Sequence, residues 1–429
     1  MTGPGARHQD PSARHEHHIR SGYRGVNVKA VVWHGVGDIR LDVVDDPKIQ
    51  EPTDAIVQIT SSAICGTDLH LVRGTMPGMV PGTVLGHEAV GTVVDTGSAV
   101  RGFAPGDRVV VCSTVSCGHC AYCRSGYTAQ CDTANPNGPL AGTSFFGGPE
   151  TTGPVDGLQA EYARIPYANN TLVKVPEGVS DDQAIMVSDV LPTGWFGARL
   201  AQVSEGDTVL VLGAGVVGQC AVASAFRQGA GRVLVVDGIA DRLETARAQN
   251  AEPIDFHRED PVEVTRELTG GIGADRVIDA VGVDAQRPER GPAADNLPVE
   301  TDVFEEERRL AAPEGNTDSG QWLVGDAPSL AGRWAVQAVA KAGSVGVIGV
   351  YPPTFDRFPL GVVLNRNLTV QGGNCNHHRY VPGLLDKVGR GDLDPTRFIT
   401  QHAEPQSMID AYEAFDLRRT GWLKTVVPM

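Results

Sequence analysis

The run VLVLGAGVVGQ, residues 209–219, limits the possible folds more than any other stretch of the chain. Four β-prone apolar residues lead into Gly213, Gly215 and Gly218, a helical stretch follows over 216 to 228, and RVLVVD then ends on Asp237, nineteen residues beyond Gly218. The first glycine permits a tight turn, the second lets backbone approach a pyrophosphate, and the third lets helix and strand pack closely. Val216 and Val217 fall at the helix N-terminus, where unpaired N–H groups and the helix dipole favour an anion. Asp237 is placed to accept the ribose hydroxyls of NAD and to repel the extra phosphate of NADP, while Arg242 nearby offers that phosphate a partner.

The same rhythm continues with a helix over 240 to 249 and strands at RVIDAVG, GSVGVIGVY and LTVQGG. Alternating strands and helices predict a parallel sheet covered on both faces. Upstream, from Val26, the short strands VKAVVWH, AIVQITSSAI, EAVGTVVDTG and DRVVVCS are separated by Gly, Pro and Asp, which predicts an antiparallel, barrel-like β domain. Residues 284–330 break the pattern with eleven acids against four arginines, and read as a solvated surface insertion, with a lid or subunit contact as the alternative. Residues 1–25 read as a flexible leader whose His8, His15, His17 and His18 sit in a solvated tail. The expected organisation is therefore a catalytic domain over 26–191, a cofactor domain over 192–372 and a return to the first domain over 373–429.

Charge and hydropathy narrow the function. A formal net charge of -16 opposes a broad nucleic-acid surface, which needs clustered Lys and Arg. There is no apolar run long enough to span a bilayer and no apolar core for a signal peptide near the start, so a soluble, cytoplasmic protein without a membrane partner is expected. In that compartment the eight cysteines are poor candidates for disulfides.

Four of them, Cys117, Cys120, Cys123 and Cys131, are spaced by two, two and seven residues in CGHCAYCRSGYTAQC. Four thiolates on a short loop can converge on one tetrahedral zinc; the spacing also admits an iron–sulfur cluster. A zinc ringed by four sulfurs has no position for water or substrate, so its expected role is to stabilise a lobe. Elsewhere CGTDLH offers Cys65, Thr67, Asp68 and His70, and GHE offers His87 and Glu88. These supply the thiolate, imidazole, carboxylates and hydroxyl of a catalytic zinc site, but spacing alone does not bring them together.

The order CGTDLH, GHE, four-cysteine lobe, GAGVVG and acid resembles the zinc-containing medium-chain dehydrogenase/reductase superfamily from about Val26 onward. The resemblance implies a Rossmann domain, doubly wound, plus a mostly β GroES-like barrel domain, an α/β fold with two zincs per chain and NAD. It implies Cys65 and His87 as catalytic zinc ligands, Glu88 beside the metal, Asp68 behind it, and Thr67 and His70 as a proton relay. Where the family often has a third cysteine ligand, MVSDVLPTGWFG places Asp189. The SDxLPTG pattern, with GHE and the enlarged segment after VIDAVG, is similar to the glutathione-independent formaldehyde dehydrogenase branch, which implies Asp189 as a ligand. It further implies a homo-oligomer, dimer or tetramer, that oxidises small alcohols or hydrated aldehydes. A polyol or amino-alcohol dehydrogenase is the alternative within the superfamily, and a noncatalytic NAD-binding protein the alternative outside enzymes. His377 and His378, in GGNCNHHRY, either line a cofactor or subunit boundary or lie on the surface.

Overall fold

The computed structural model describes residues 27–315 and 320–429. The expected leader with its four histidines, and Asp318 of the insertion, lie outside the described residues.

Six parallel strands form one sheet, in the spatial order Glu252–Asp255, Arg232–Asp237, Thr208–Leu212, Ala274–Asp279, Val339–Val347 and Thr369–Gly372. The chain begins at Thr208–Leu212, winds outward to one edge, then restarts at Ala274–Asp279 and winds to the other. This is a doubly wound sheet, and its direction reverses between Leu212 and Asp279, which sit in register at the carboxyl ends of neighbouring strands. Alternation of side chains explains why both faces are apolar. Leu210, Leu212, Leu234 and Val236 enter one core with Phe256 and Trp334, while Val209, Val211, Val233 and Val235 enter the other with Ala221 and Ala225 of the helix Val216–Arg227. The helix expected to reach 249 spans Ala240–Arg247, because Asn250 takes a φ of 66° and turns the chain.

The second large sheet is built around Ala55–Ile64. Ala89–Thr96 pairs antiparallel along one side of it, with irregularities at Ile56/Val57 and Ile59/Ser61 that bend the strand. Its other side is shared: Tyr162–Ile165 pairs with residues 55–58 and Thr425–Pro428 with residues 61–64. Arg108–Val111 and Leu172–Lys174 extend the sheet beyond Ala89–Thr96. Among the described residues no helix is long and apolar enough to cross a membrane.

The acidic insertion is not simply a solvated surface. Its helix Thr301–Ala311 buries Phe304, Glu307 and Ala311 along one stripe, leaving Asp302, Glu305 and Glu306 outward or toward the rim. Phe304 joins the core under the parallel sheet, whereas Trp322 packs with Trp33, Ile39 and Leu69 of the first half of the chain. Composition concealed this because the acids outnumber the few apolar anchors, and only their helical spacing reveals the buried stripe.

Candidate functional site

A cavity of about 950 Å³ lies where the two halves of the molecule meet. Gly213, Gly215, Val216, Val217, Asp237 and Arg242 line it together with Cys65, Thr67, His70, His87 and Asp189. Gly213 turns the chain at a φ of 88°, and a Cβ on Gly218 would lie 2.0 Å from the Gly213 carbonyl oxygen. A Cβ on Gly215 would meet nothing within 4 Å, so backbone at the N-terminus of Val216–Arg227 faces open space. That combination fits a pyrophosphate cradle. Asp237 is fixed at its strand end: Oδ2 accepts the Ala214 N–H at 2.8 Å, and Oδ1 accepts the N–H groups of Gly238 and Ile239 at 2.8 and 2.9 Å. A carboxylate has about four acceptor positions, so some capacity for a ribose hydroxyl remains. Arg418, which the sequence did not single out, lines the same cavity.

Four ligand atoms from Cys65, His87, Glu88 and Asp189 lie within 4.8 Å of one another, all from buried residues, and three of these residues line the cavity. Cys65 is the N-cap of the helix Gly66–Val72, and its N–H donates to Asp68 Oδ2 at 2.9 Å. His87 and Glu88 stand at the entry to Ala89–Thr96, just after the turn at Gly86, where a Cβ would collide with Gln159. Asp189 occupies the break between the helices Asp181–Ser188 and Val190–Leu200. Its Oδ2 lies 3.6 Å from both Cys65 Sγ and His87 Nε2. Asp68 Oδ1 stands 3.1 Å behind His87 Nδ1, though not aligned as a hydrogen bond. Both oxygens of Glu88 instead accept from the fully buried Lys424 at 2.6 Å.

The sulfur, nitrogen and carboxylate donors of Cys65, His87 and Asp189 are a set suited to zinc with a fourth position open. Electrostatics agree with that fit, since several acids and a thiol are buried in one place. Burial pushes the Cys65 thiol up, which His87 partly opposes. Burial alone would lower His87, but Asp68 and Cys65 hold it well above its ordinary value. Burial would raise Asp189, yet the hydrogen bond from His377 and the nearby His87 hold it well below the usual carboxylate range. A divalent cation here would offset such a concentration of donor charge.

Thr67 and His70 share the short helix that begins after Cys65. His70 is buried, its Nδ1 has no hydrogen-bond partner, and its Nε2 lies 3.5 Å from Asp284 Oδ2. Asp284 also accepts from Arg73 Nη1 at 2.7 and 2.9 Å, and Arg73 in turn pairs with Asp416. Asp284 therefore brings the start of the acidic insertion into the site. The composition of that insertion gave no hint of this contact, because one acid among eleven carries no positional signal.

His377 is buried in the cavity wall, with Nε2 2.8 Å from Asp189 Oδ1 and Nδ1 3.2 Å from Thr114 Oγ1. The adjacent His378 is half-buried and is not part of that wall. Outside the cavity lining, Cys117, Cys120, Cys123 and Cys131 form a second cluster with all four sulfurs within 4.8 Å of one another and no disulfide. Backbone N–H groups of Cys117, Cys120, Cys123 and Ala134 point at cysteine sulfurs at 3.3 to 3.4 Å. Such donors stabilise thiolates, and four converging thiolates fit a structural zinc.

Comparison with known proteins yields a consistent set of relatives. The family described as Alcohol dehydrogenase GroES-like domain matches residues 51–177, and Zinc-binding dehydrogenase matches residues 216–288. Over 404 residues the chain is 34% identical to an uncharacterized zinc-type alcohol dehydrogenase-like protein of Bacillus subtilis, covering 93% of this chain and 100% of that one. It is 39% identical over 279 residues to a glutathione-independent formaldehyde dehydrogenase of Pseudomonas aeruginosa, covering 62% of this chain and 67% of the relative. Among solved structures, alcohol dehydrogenase TADH from Thermus sp. ATN1 aligns with a TM-score of 0.74 at 31% identity, over 93% of this chain and 99% of that one.

Proposed function

The chain belongs to the zinc-type alcohol dehydrogenases of the medium-chain dehydrogenase/reductase superfamily, and on that premise we propose that it oxidises a small alcohol or hydrated aldehyde with NAD. The observation that carries this reading is the approach of Asp189 Oδ2 to Cys65 Sγ and His87 Nε2 in the wall of the cavity that the glycine loop also lines. These three side chains are the proposed catalytic zinc ligands, with Cys117, Cys120, Cys123 and Cys131 holding a structural zinc. When bound, zinc eases deprotonation of a hydroxyl brought against it, and the nicotinamide accepts a hydride.

The chain's own residues do the rest. Thr67 accepts the substrate proton and passes it toward His70, whose unpartnered Nδ1 is available to receive it. Gly213, Gly215 and the N-terminus of Val216–Arg227 hold the pyrophosphate, and Asp237 orients the ribose. A hydrated aldehyde presents a hydroxyl like that of an alcohol, so aldehyde oxidation needs no further group. We read 26–191 with 373–429 as the catalytic domain and 192–372 as the cofactor domain, a division supported by the pairing of Thr425–Pro428 with residues 61–64. A homo-oligomer completes the proposal.

The test follows NADH absorbance with zinc-replete protein on primary and secondary alcohols, polyols, threonine and small aldehydes including formaldehyde, with NADP as control. Turnover on a primary alcohol or small aldehyde with NAD, lost in Asp189→Ala, is the expected result. Faster turnover on polyols or threonine would move the assignment to that branch. Silence on every substrate with two zincs bound would point to a specialised bulky substrate, whereas silence with no zinc at the second site would leave a noncatalytic NAD-binding role.

A further inference from the structure

We propose that His377 is a positioning residue for the catalytic metal: it binds one oxygen of Asp189 so that the other is turned toward Cys65 and His87. This inference rests on the reading of Asp189 as a zinc ligand and extends it to a side chain 188 residues away.

The two oxygens of Asp189 have different surroundings. Oδ1 faces protein donors, His377 Nε2 at 2.8 Å and Thr193 Oγ1 at 3.4 Å. Oδ2 faces Cys65 Sγ and His87 Nε2, each at 3.6 Å, and so belongs to the donor cluster. An ionised carboxylate only accepts, so the proton on this edge of His377 sits on Nε2. In the neutral ring Nδ1 is then the acceptor for the Thr114 hydroxyl at 3.2 Å, a contact that fixes the tautomer and the ring plane. The sequence Thr114, His377, Asp189 is thus a directed chain of donors that ends on Oδ1 and leaves Oδ2 turned toward Cys65 and His87.

Such a support is needed here because of where Asp189 sits. Its backbone lies between two helices at φ -144° and ψ -65°, and its carboxylate can rotate about the last side-chain bond. Without a donor on Oδ1 the carboxylate is free to swing or to chelate through both oxygens. Outer partners of metal ligands hold them in place, and their loss typically weakens metal binding by about 10–100-fold. A cysteine in the same position presents a single sulfur and has no second atom to restrain, so Asp189 and His377 work as a pair.

The experiment measures zinc per chain by mass spectrometry and the rate of zinc release to a competing chromogenic chelator, in the full-length protein. Wild type should hold two zincs, and Asp189→Ala one. His377→Ala should still load two at saturating zinc but release one of them about 10–100-fold faster. His377→Gln, whose amide N–H can replace the Nε2 donor, should return release to within a few-fold of wild type. Retention of the four-cysteine zinc reports that each variant has folded. Should His377→Ala lose both metals, Thr114→Val decides: faster release of one zinc supports the proposal, and wild-type release overturns it. Two zincs retained by Asp189→Ala would sink the ligand reading itself. One zinc in Asp189→Ala, together with wild-type release from His377→Ala, or a His377→Gln no better than His377→Ala, would sink the positioning role alone.

Discussion

At the residue scale, His70 stands in unusual surroundings for a group proposed to pass protons outward. It is buried, and burial lowers its pKa; Asp284 opposes that shift, while Arg73 and Arg418 reinforce it. Removing the negative charge in Asp284→Asn should therefore lower the His70 pKa further and move the acid limb of the kcat/KM profile to lower pH. A limb that stays in place or moves up would show that His70 does not govern it. The same substitution bears on stability. Arg73 and His70 hold the Asp284 carboxyl below its ordinary value despite burial, so its stabilisation is complete above the usual carboxylate range and fades as pH falls toward the depressed value. Urea unfolding of Asp284→Asn should show a loss of about 3 kcal/mol at pH 7, nearer the low end for a broken buried pair because Arg73 keeps Asp416. The gap from wild type should narrow at pH 3. Single residues of this kind were the least legible part of the sequence. Cys65, His87 and Asp189 are spread over 124 positions, and their common pocket came from family resemblance and not from spacing. The partnership of His377 with Asp189 had no sequence signal beyond an unexplained pair of histidines.

Among the elements, legibility followed contiguity. The strand, glycine loop and helix over 208–227 could be read because the backbone requirements of one turn are met by neighbouring residues. The helix Thr301–Ala311 was hidden in an acidic stretch, since its stripe depends on only three buried positions. Phe304, fully buried among Ala327, Leu330 and Ala331, is its main anchor. Phe304→Ala should cost about 3–5 kcal/mol in urea unfolding. A change under about 0.5 kcal/mol, the range of ordinary surface substitutions, would mean that the helix is not anchored there.

On the scale of the whole molecule, the parallel sheet ends at Thr369–Gly372, whose outer side pairs with no described strand. Beside it, Leu360 and Leu364 are 70% and 77% exposed on a helix with no buried residue. An open strand edge next to exposed leucines suits a second copy of the chain, and Leu360→Glu with Leu364→Glu should lower the mass measured by light scattering. An unchanged mass would place the contact elsewhere or leave the chain monomeric. The overall architecture was legible because its alternating pattern repeats over many residues, whereas the arrangement of the halves depends on long-range pairs. One such pair also sets an order of events during synthesis. Lys424 reaches the carbonyl of Ile64 and the carboxylate of Glu88, 360 and 336 residues earlier in the chain. A nascent chain that has emerged as far as residue 372 already contains the glycine loop and the four-cysteine lobe, but leaves Glu88 without its cation. The proposed metal-binding pocket therefore gains its buried cation only after translation has passed residue 424, and zinc offered earlier would meet an incomplete set of neighbours.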